Sequence, residues 1–343
     1  MLKIEDLGVI LEKTELDFEN QAVLNPTCLL KNGIVHMFYR AVREKNYSCI
    51  GYCQLKNQKV ILRLNRPLLE PEFLFERHGM EDPRITQVDD TYYLFYTAYD
   101  GKNARAAYAT STDLIHFKKQ GLVCPTIKYR EAIKIFGDSK LPERYFWYGS
   151  HYEQTIGHDV LLQEKDVFLF PKKFNGNFLL AHRIMPGIQL ISFKNFSDLT
   201  IKYWKEHLRN ISEHILMNPE FWFESRKIGG GCVPIETPQG WLFIYHGVED
   251  HKNGRIYHAA AALLDLQNPT KIIGRLPQPL FSPSDTLEKD GDTKNVVFPT
   301  GAIVENGKIY IFYGAADTRI MAKAINLNEL IKELIEHPLG KNL

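Results

Sequence analysis

The chain is poor in the features that mark membrane, metal or disulfide proteins. No apolar run approaches the roughly 18 residues that span a bilayer, and the opening stretch Met1-Leu2-Lys3-Ile4-Glu5-Asp6 carries no long apolar core of the kind a secretion signal needs. The five cysteines, Cys28, Cys49, Cys53, Cys124 and Cys232, are odd in number and form no CxxC pair, which argues against a disulfide framework or a zinc site. Free thiols in a soluble, cytoplasmic protein are the expectation. Charge of one sign is also missing. With 42 basic and 41 acidic side chains the formal net charge is +1, so no long-range field draws nucleic acid or an anionic membrane, and neither is expected as a partner. Any affinity for an anion has to come from a local cluster.

What is present is an ordinary globular composition, 44% hydrophobic and 24% charged over 343 residues, long enough for one large domain or two. Internal repetition organises it. Five times a marker proline is followed by a short run, a turn pair and an apolar-aromatic strand. The copies run Asn25-Pro26 to Asn32-Gly33 to 34–40, Asp82-Pro83 to Asp89-Asp90 to 91–97, and Phe170-Pro171 to Asn175-Gly176 to 177–183. Val233-Pro234 to Gln239-Gly240 to 241–247 and Phe298-Pro299 to Asn306-Gly307 to 308–314 complete the set. Asn-Gly between alternating runs signals a hairpin, because both residues tolerate the positive φ of a type I′ turn. Third strands follow at 47–55, 104–110, 188–193, 257–266 and 320–327, and short fourth strands after them.

Five such units predict an all-β fold, a five-bladed β-propeller with a short terminal helix, with residues 1–343 forming one domain. Residues 7–12 are suited to completing the last blade. A β-sandwich or two stacked β domains is the alternative, but a sandwich gives no reason to repeat one proline-to-turn spacing. Leu327, Leu330, Ile331, Leu334 and Ile335 recur at helical spacing, with Asn328 as N-cap. Residues 118–165 read as a long irregular inter-blade excursion, whose Arg130, Glu131, Arg144, Tyr145, Trp147 and Tyr148 either line a sugar site or cover an apolar patch. It is also the candidate surface for a homo-oligomer.

Equivalent repeat positions converge at one mouth of a propeller. The residues before the marker prolines supply one carboxylate, Asp82, and one amide, Asn25; the strand ends supply Arg40, Arg183, His182 and His246. Hydrolysis of a glycoside ordinarily needs two carboxylates. Phosphorolysis needs one acid plus cations to hold phosphate, and the inventory suits it better. Each residue has a plainer reading too. Asp82 can cap a turn, Arg84 can pair with Glu81 or Asp82, and His182 and His246 can be satisfied core groups. Lys172 and Lys173 can be solvated, and Tyr39, Tyr96, Tyr99, Trp241 and Tyr245 are either sugar platforms or blade core. Gly229-Gly230-Gly231 reads better as a close-packed strand start than as a phosphate cradle.

The motifs GMEDPRI (79–85) with YTAYDG (96–101), EKDVFLFPKKFNG (164–176) with AHR (181–183), GGGCVPIETPQGWLFIYHGVE (229–249) and NVVFPTGAIVENGKIYIFYGAADT (295–318) together resemble glycoside hydrolase family 130, the mannoside phosphorylases and related β-mannosidases. The resemblance implies that Asp82 is the general acid, protonating the glycosidic oxygen through the mannose 3-hydroxyl. It implies that Asn25, Arg40, Arg84, His182, Arg183 and Asp317 serve the mannose site, and that Arg105, Lys173, Tyr245 and His246 hold phosphate. The reaction implied is glycosyl transfer to inorganic phosphate from a terminal β-1,4- or β-1,2-linked manno-oligosaccharide, giving α-mannose 1-phosphate. Phosphate is then a co-substrate, and no metal or organic cofactor is required. A β-mannosidase of the same fold, a non-catalytic glycan-binding propeller and a hydrolase like the arabinan- and fructan-cleaving propellers are the alternatives.

Overall fold

The structure, a computed structural model, describes residues 2–137 and 140–339. It is mostly β, with few helices. Strands fall into five groups, four strands in each except the fourth, which has five, and the first hairpin of each lies at the predicted turn. Asn32-Gly33, Asn175-Gly176 and Asn306-Gly307 hold φ of 51° and 71°, 51° and 79°, and 50° and 73°, the left-handed pair that fits strand twist.

The first group is Ala22–Lys31, Ile34–Arg43, Tyr47–Lys56 and Lys59–Arg63, and the second is Gly79–Val88, Thr91–Tyr99, Ala104–Ser111 and Lys118–Leu122. These two share one hydrogen-bonded path through a single parallel pair, Ser48 with Gly79. A Cβ on Gly79 would stand 3.0 Å from the Ser48 nitrogen, so only glycine fits there. The third group is Lys165–Leu169, Phe178–Arg183, Ile188–Phe193 and Ile215–Met217. In the fourth, Lys227–Gly230 and Ile235–Thr237 both pair with Gly240–His251, followed by Gly254–Leu264 and Ile272–Arg275. The fifth contains Val297–Glu305, Lys308–Ala315 and Arg319–Asn326, and its outer strand is Ile4–Leu11 from the other end of the chain. Residues 7–12 were expected in that place.

Alternation along each strand buries one apolar layer on either side. Such layers lie between each pair of consecutive groups, and one more joins the fifth to the first through Leu11, Val23, Met37, Ile303, Phe312 and Ile320. The first strands lie side by side, Val297–Glu305 against Ala22–Lys31, that against Gly79–Val88, and so on to Lys227–Gly230.

Helices are more numerous than expected. Residues 118–165 are not irregular: Lys118–Leu122 is a strand, and Tyr129–Phe136 and Glu143–Ile156 are helices. Tyr129, Ala132, Phe136 and Tyr145 bury against Ile184, Leu208 and Ile211. The aromatic-rich sequence hid this helical period. Ile201–Arg209 and the short Thr286–Lys289 were also unforeseen. The terminal helix Leu327–Glu336 is capped by Asn326, whose side chain accepts from the Glu329 amide, rather than by Asn328.

A buried motif recurs beside four groups. The hydroxyls of Tyr39, Tyr96, Tyr245 and Tyr313 donate to Glu19, Glu76, Glu224 and Glu288 over 2.6–2.8 Å. Each carboxylate also holds one cation, Arg63, Lys119, Arg275 or Lys323. Burying a carboxylate is tolerable only with such partners. In the third group His182 takes the tyrosine's place, with Nδ1 3.2 Å from Glu164 and Nε2 2.8 Å from His207.

Candidate active site

One cavity of about 170 Å³ gathers residues from all five groups: Asn25 and Arg40, Asp82, Lys165 with Asp166 and Arg183, Lys227 with His246 and Tyr257, and Val296, Phe298 and Asp317. Strand irregularities aim its polar side chains. The pairing register skips between Leu24 and Thr27, Glu81 and Arg84, and Lys165 and Phe168, and the residues inside the skips are Asn25, Asp82 and Asp166. Such bulges re-aim a side chain. All three hold left-handed backbone, with φ of 49°, 51° and 57°, and Asp317 does so at 53°. Asn and Asp are the non-glycine residues that best tolerate it, which fits the residue types found.

Asn25 Nδ2 donates to Asp82 Oδ1 at 2.7 Å. Beside them, Glu81 holds Arg40 at 3.0 Å and Lys165 at 2.9 Å. Burial alone would raise the Glu81 pKa, but Arg40 and then Lys165 outweigh it and bring it to about 2. Asp166 behaves alike: burial is overcome by Arg183, His246 and Arg84, and its pKa falls to about 2. Its carboxylate is 3.0 Å from Arg183 Nε, 3.8 Å from Arg84 Nη2 and 3.9 Å from His246 Nε2. The Arg183 approach is close enough for an ion pair but poorly aligned for a hydrogen bond. Asp317 is pushed upward by burial, with Asp82 and Asp292 adding to it.

Two bases differ from the rest. Lys227 lies over the Tyr257 ring at 5.7 Å, and burial followed by Arg183 holds its pKa well below the ordinary lysine value. His246 is fully buried against Phe298, neither ring nitrogen has a hydrogen-bond partner, and burial holds its pKa well below the usual histidine value. Among the described residues, six of the eleven buried side-chain polar atoms without a partner belong to this cavity: Asn25 Oδ1, Arg40 Nε, Asp166 Oδ2, Arg183 Nε and both His246 nitrogens. Unsatisfied buried polar atoms concentrated in one place are the signature of a ligand site.

Asp82, Asn25, Arg40, Arg183, Asp317 and His246, all expected from the sequence, meet here. Five others do not line it. Lys173 reaches outward to Asp89 at 2.8 Å. Tyr245 points into the apolar layer toward Glu224 and Arg275, because strand alternation sends it opposite to His246. His182 is turned the same way, opposite to Arg183. Arg105 stands 3.9 Å from Asp100 and over Phe75. Arg84 is fully buried and ties its strand to the Gly230 and Gly231 carbonyls at 3.2 and 2.6 Å. The three glycines are a close-packed strand start as read, since a Cβ on Gly229 would strike Asp166 and His246. Tyr39 and Tyr96 are core groups, and Trp241 is fully buried with Nε1 donating to the Leu266 carbonyl. Arg144 and Tyr148 of the excursion bind the Ser225 and Arg226 carbonyls, so its first role is to cover.

Sequence reasoning missed Lys165, Asp166 and Lys227. It aligned the third unit on Phe170-Pro171, whereas the bulge lies at Asp166; Glu164-Lys165-Asp166 beside Met80-Glu81-Asp82 was the available signal. The site is therefore not a lone carboxylate among bases. It has three lining acids, Asp82, Asp166 and Asp317; among the described residues only Asp166 has cations within salt-bridge distance, and Asp82 is the one that takes the Asn25 amide.

A family model described as beta-1,4-mannooligosaccharide phosphorylase, within a glycoside hydrolase rather than a glycosyltransferase family, matches residues 10–336. A 1,2-beta-oligomannan phosphorylase of Thermoanaerobacter sp. (strain X514) is 32% identical over 96% of this chain and 98% of its own. A beta-1,2-mannobiose phosphorylase of the same organism is 33% identical over 89% and 90%. Among solved structures, beta-1,2-mannobiose phosphorylase from Listeria innocua in complex with beta-1,2-mannobiose superposes with a TM-score of 0.72 at 23% identity, covering 97% of this chain and 99% of that one. That structure speaks to the fold.

Proposed function

The chain belongs to glycoside hydrolase family 130, and from that premise we propose that it is an inverting β-mannoside phosphorylase built as a single five-bladed propeller. Five groups of four or five strands, an apolar layer between every neighbouring pair and a first strand that completes the last group support the architecture. The full-length relatives named for β-1,2-linked substrates favour that linkage over β-1,4.

The observation that carries phosphorolysis is the pair of half-buried Lys227 and buried His246 beside the acid, with no ion-pair partner for Lys227 and no hydrogen bond on His246 among the described residues. Glu81 already satisfies Arg40 and Lys165, and Asp166 already faces Arg183. An anion entering between Lys227, His246 and Arg183 draws protons onto the first two and meets the third as a bidentate donor. Phosphate then attacks the anomeric carbon as the bond to the leaving sugar breaks. Asp82, aligned by Asn25, gives the leaving oxygen its proton, passed through the mannose 3-hydroxyl as the family resemblance implies. The phosphate bond forms on the opposite face, so the product is α-mannose 1-phosphate and a shortened acceptor. Asp166, flanked by the Arg183 and Arg84 guanidiniums, is a poor base for activating water.

Incubation with β-1,2- and β-1,4-linked manno-oligosaccharides, with and without phosphate, tests this. Release of α-mannose 1-phosphate only when phosphate is present is expected; cleavage to free mannose at full rate without it overturns the reading in favour of a β-mannosidase.

A further inference from the structure

We propose that Arg84 is the positioning residue for the acid: its guanidinium sets where Asp82 stands relative to the strand that carries Lys227. The side chain is fully buried and does not line the cavity, so it acts through other groups. Where the second strand group bulges, the pairing register passes from Glu81 to Arg84 and leaves Asp82 and Pro83 outside the ladder. Their carbonyls need donors from elsewhere. Arg84 Nη1 donates to both, at 3.1 Å each. On the other edge of the fork, Nε donates to the Gly231 carbonyl at 2.6 Å and Nη2 to the Gly230 carbonyl at 3.2 Å, where the strand Lys227–Gly230 ends. Four of the five N–H bonds of the guanidinium are thus placed on backbone carbonyls. Nη2 also stands 3.8 Å from Asp166 of the third group. One rigid plane joins three groups at the backbone of the acid.

Two holds therefore act on Asp82, and the inference rests on the reading of Asp82 as proton donor given above. Asn25 fixes the carboxylate at 2.7 Å, and Arg84 fixes the left-handed backbone, φ 51°, that carries it. A general acid works only within hydrogen-bond reach of the oxygen it protonates, and a displacement of about 1 Å can cost about 10²-fold in rate. Lysine is no substitute here. Its ammonium is a point donor with three N–H bonds, and it cannot span carbonyls on two strands as a planar fork does.

The test compares two substrates in the full chain: β-mannosyl fluoride, and β-1,2- or β-1,4-mannobiose, whichever the wild type cleaves faster. Fluoride leaves as the anion without a proton, whereas the departing sugar needs one from Asp82. With phosphate as nucleophile, the C–F bond breaks as the new C–O bond forms, and the product is again α-mannose 1-phosphate. In Arg84→Lys, kcat on mannobiose is expected to fall about 10²-fold while kcat on the fluoride and the phosphate KM stay within about threefold of wild type, the pattern also expected of Asp82→Asn. A purely structural loss lowers both kcat values alike. Their ratio does not depend on the fraction of protein folded, and Arg84→Gln, an uncharged amide with two donors, is read the same way where the lysine variant does not fold. Equal losses on both substrates, wild-type turnover on both, or a rise in the phosphate KM alone overturns the proposal. Equal losses in Asp82→Asn defeat instead the assignment of the acid. Wild-type protein that releases free mannose at full rate without phosphate defeats the phosphorolytic reading, and the same ratio measured in hydrolysis then decides Arg84 separately.

Discussion

Asn25 and Asp82, fifty-seven positions apart, occupy the same place in neighbouring strand groups and meet there, amide to carboxylate, at 2.7 Å. Both precede a proline, both sit in a bulge, and both hold left-handed backbone. The repeat therefore builds the acid and its aligning amide from one structural device used twice.

Asp82→Asn separates the chemistry from the scaffold. Asn tolerates a φ of 51° as well as Asp does, so thermal stability should stay within a few degrees of wild type. The general acid is lost, and turnover should fall by about 10²–10⁴. Asp82→Ala should match that loss and also unfold at lower temperature, since a left-handed Ala costs roughly 1 kcal/mol more. Near-normal kcat in Asp82→Asn would assign the acid to another carboxylate.

Lys227 makes phosphate use depend on pH in a defined direction. Its pKa in the free protein lies well below the usual lysine value, and only the protonated form pairs with phosphate. The phosphate KM should therefore climb as pH rises through that depressed value, and Lys227→Arg should move the climb to higher pH because guanidinium stays charged. Lys227→Met removes a half-buried amine whose depressed pKa weakens the empty protein at every pH where the unfolded lysine is charged. It should raise the melting temperature while the phosphate KM rises at least tenfold, roughly the size of one charge-assisted contact. A pH-independent phosphate KM in the wild type would remove Lys227 from the anion site.

Tyr245 and Lys173 carry the opposite expectation. With its hydroxyl on Glu224 and Arg275, Tyr245 is part of the motif repeated at Tyr39, Tyr96 and Tyr313. Tyr245→Phe leaves that buried carboxylate one donor short and should cost about 1–3 kcal/mol of stability, measured by denaturant unfolding. The phosphate KM should not move in Tyr245→Phe or in Lys173→Ala, whose lysine binds Asp89 at the surface. A selective rise in either would restore that residue to the phosphate site.

These contrasts show what the sequence could disclose. Strand alternation, Asn-Gly turns and repeat spacing are local signals, and they located the hairpin that opens each of the five units and a closing strand at residues 7–12, which overlaps the observed Ile4–Leu11. Asp82, Asn25 and Arg40 were legible because proline marks the bulge in those two units. Asp166 was not, because its bulge has no proline, and the proline at Pro171 lies beyond the strand. Tyr245 and His246 are neighbours in sequence and face opposite ways, so their roles depended on the phase of the alternation. Lys227 offered no cue at all: nothing around a lone lysine ahead of three glycines marks it as a site residue, and only its place over Tyr257 and near Arg183 does so.

Glu81 and Asp166 set the acid limit of the fold. Their pKa values are lowered from 4.5 and 3.8 to about 2 by the cations they hold. For a carboxylate depressed in the folded state, the stabilisation is complete above its unfolded pKa and disappears as pH falls toward the folded one. Stability should be level above about pH 5 and decline steeply between about 4.5 and 2, by on the order of a few kcal/mol. Glu81→Gln should flatten part of that decline and lower stability at neutral pH, because it takes from Arg40 and Lys165 the carboxylate that both pair with. Bound phosphate, which brings negative charge to this cluster, should recover part of what Glu81→Gln loses and more than it adds to the wild type. Thermal unfolding across pH 2–8, with and without phosphate, reads all of these. A wild-type curve with no acid limb would mean that these ion pairs contribute nothing net to folding.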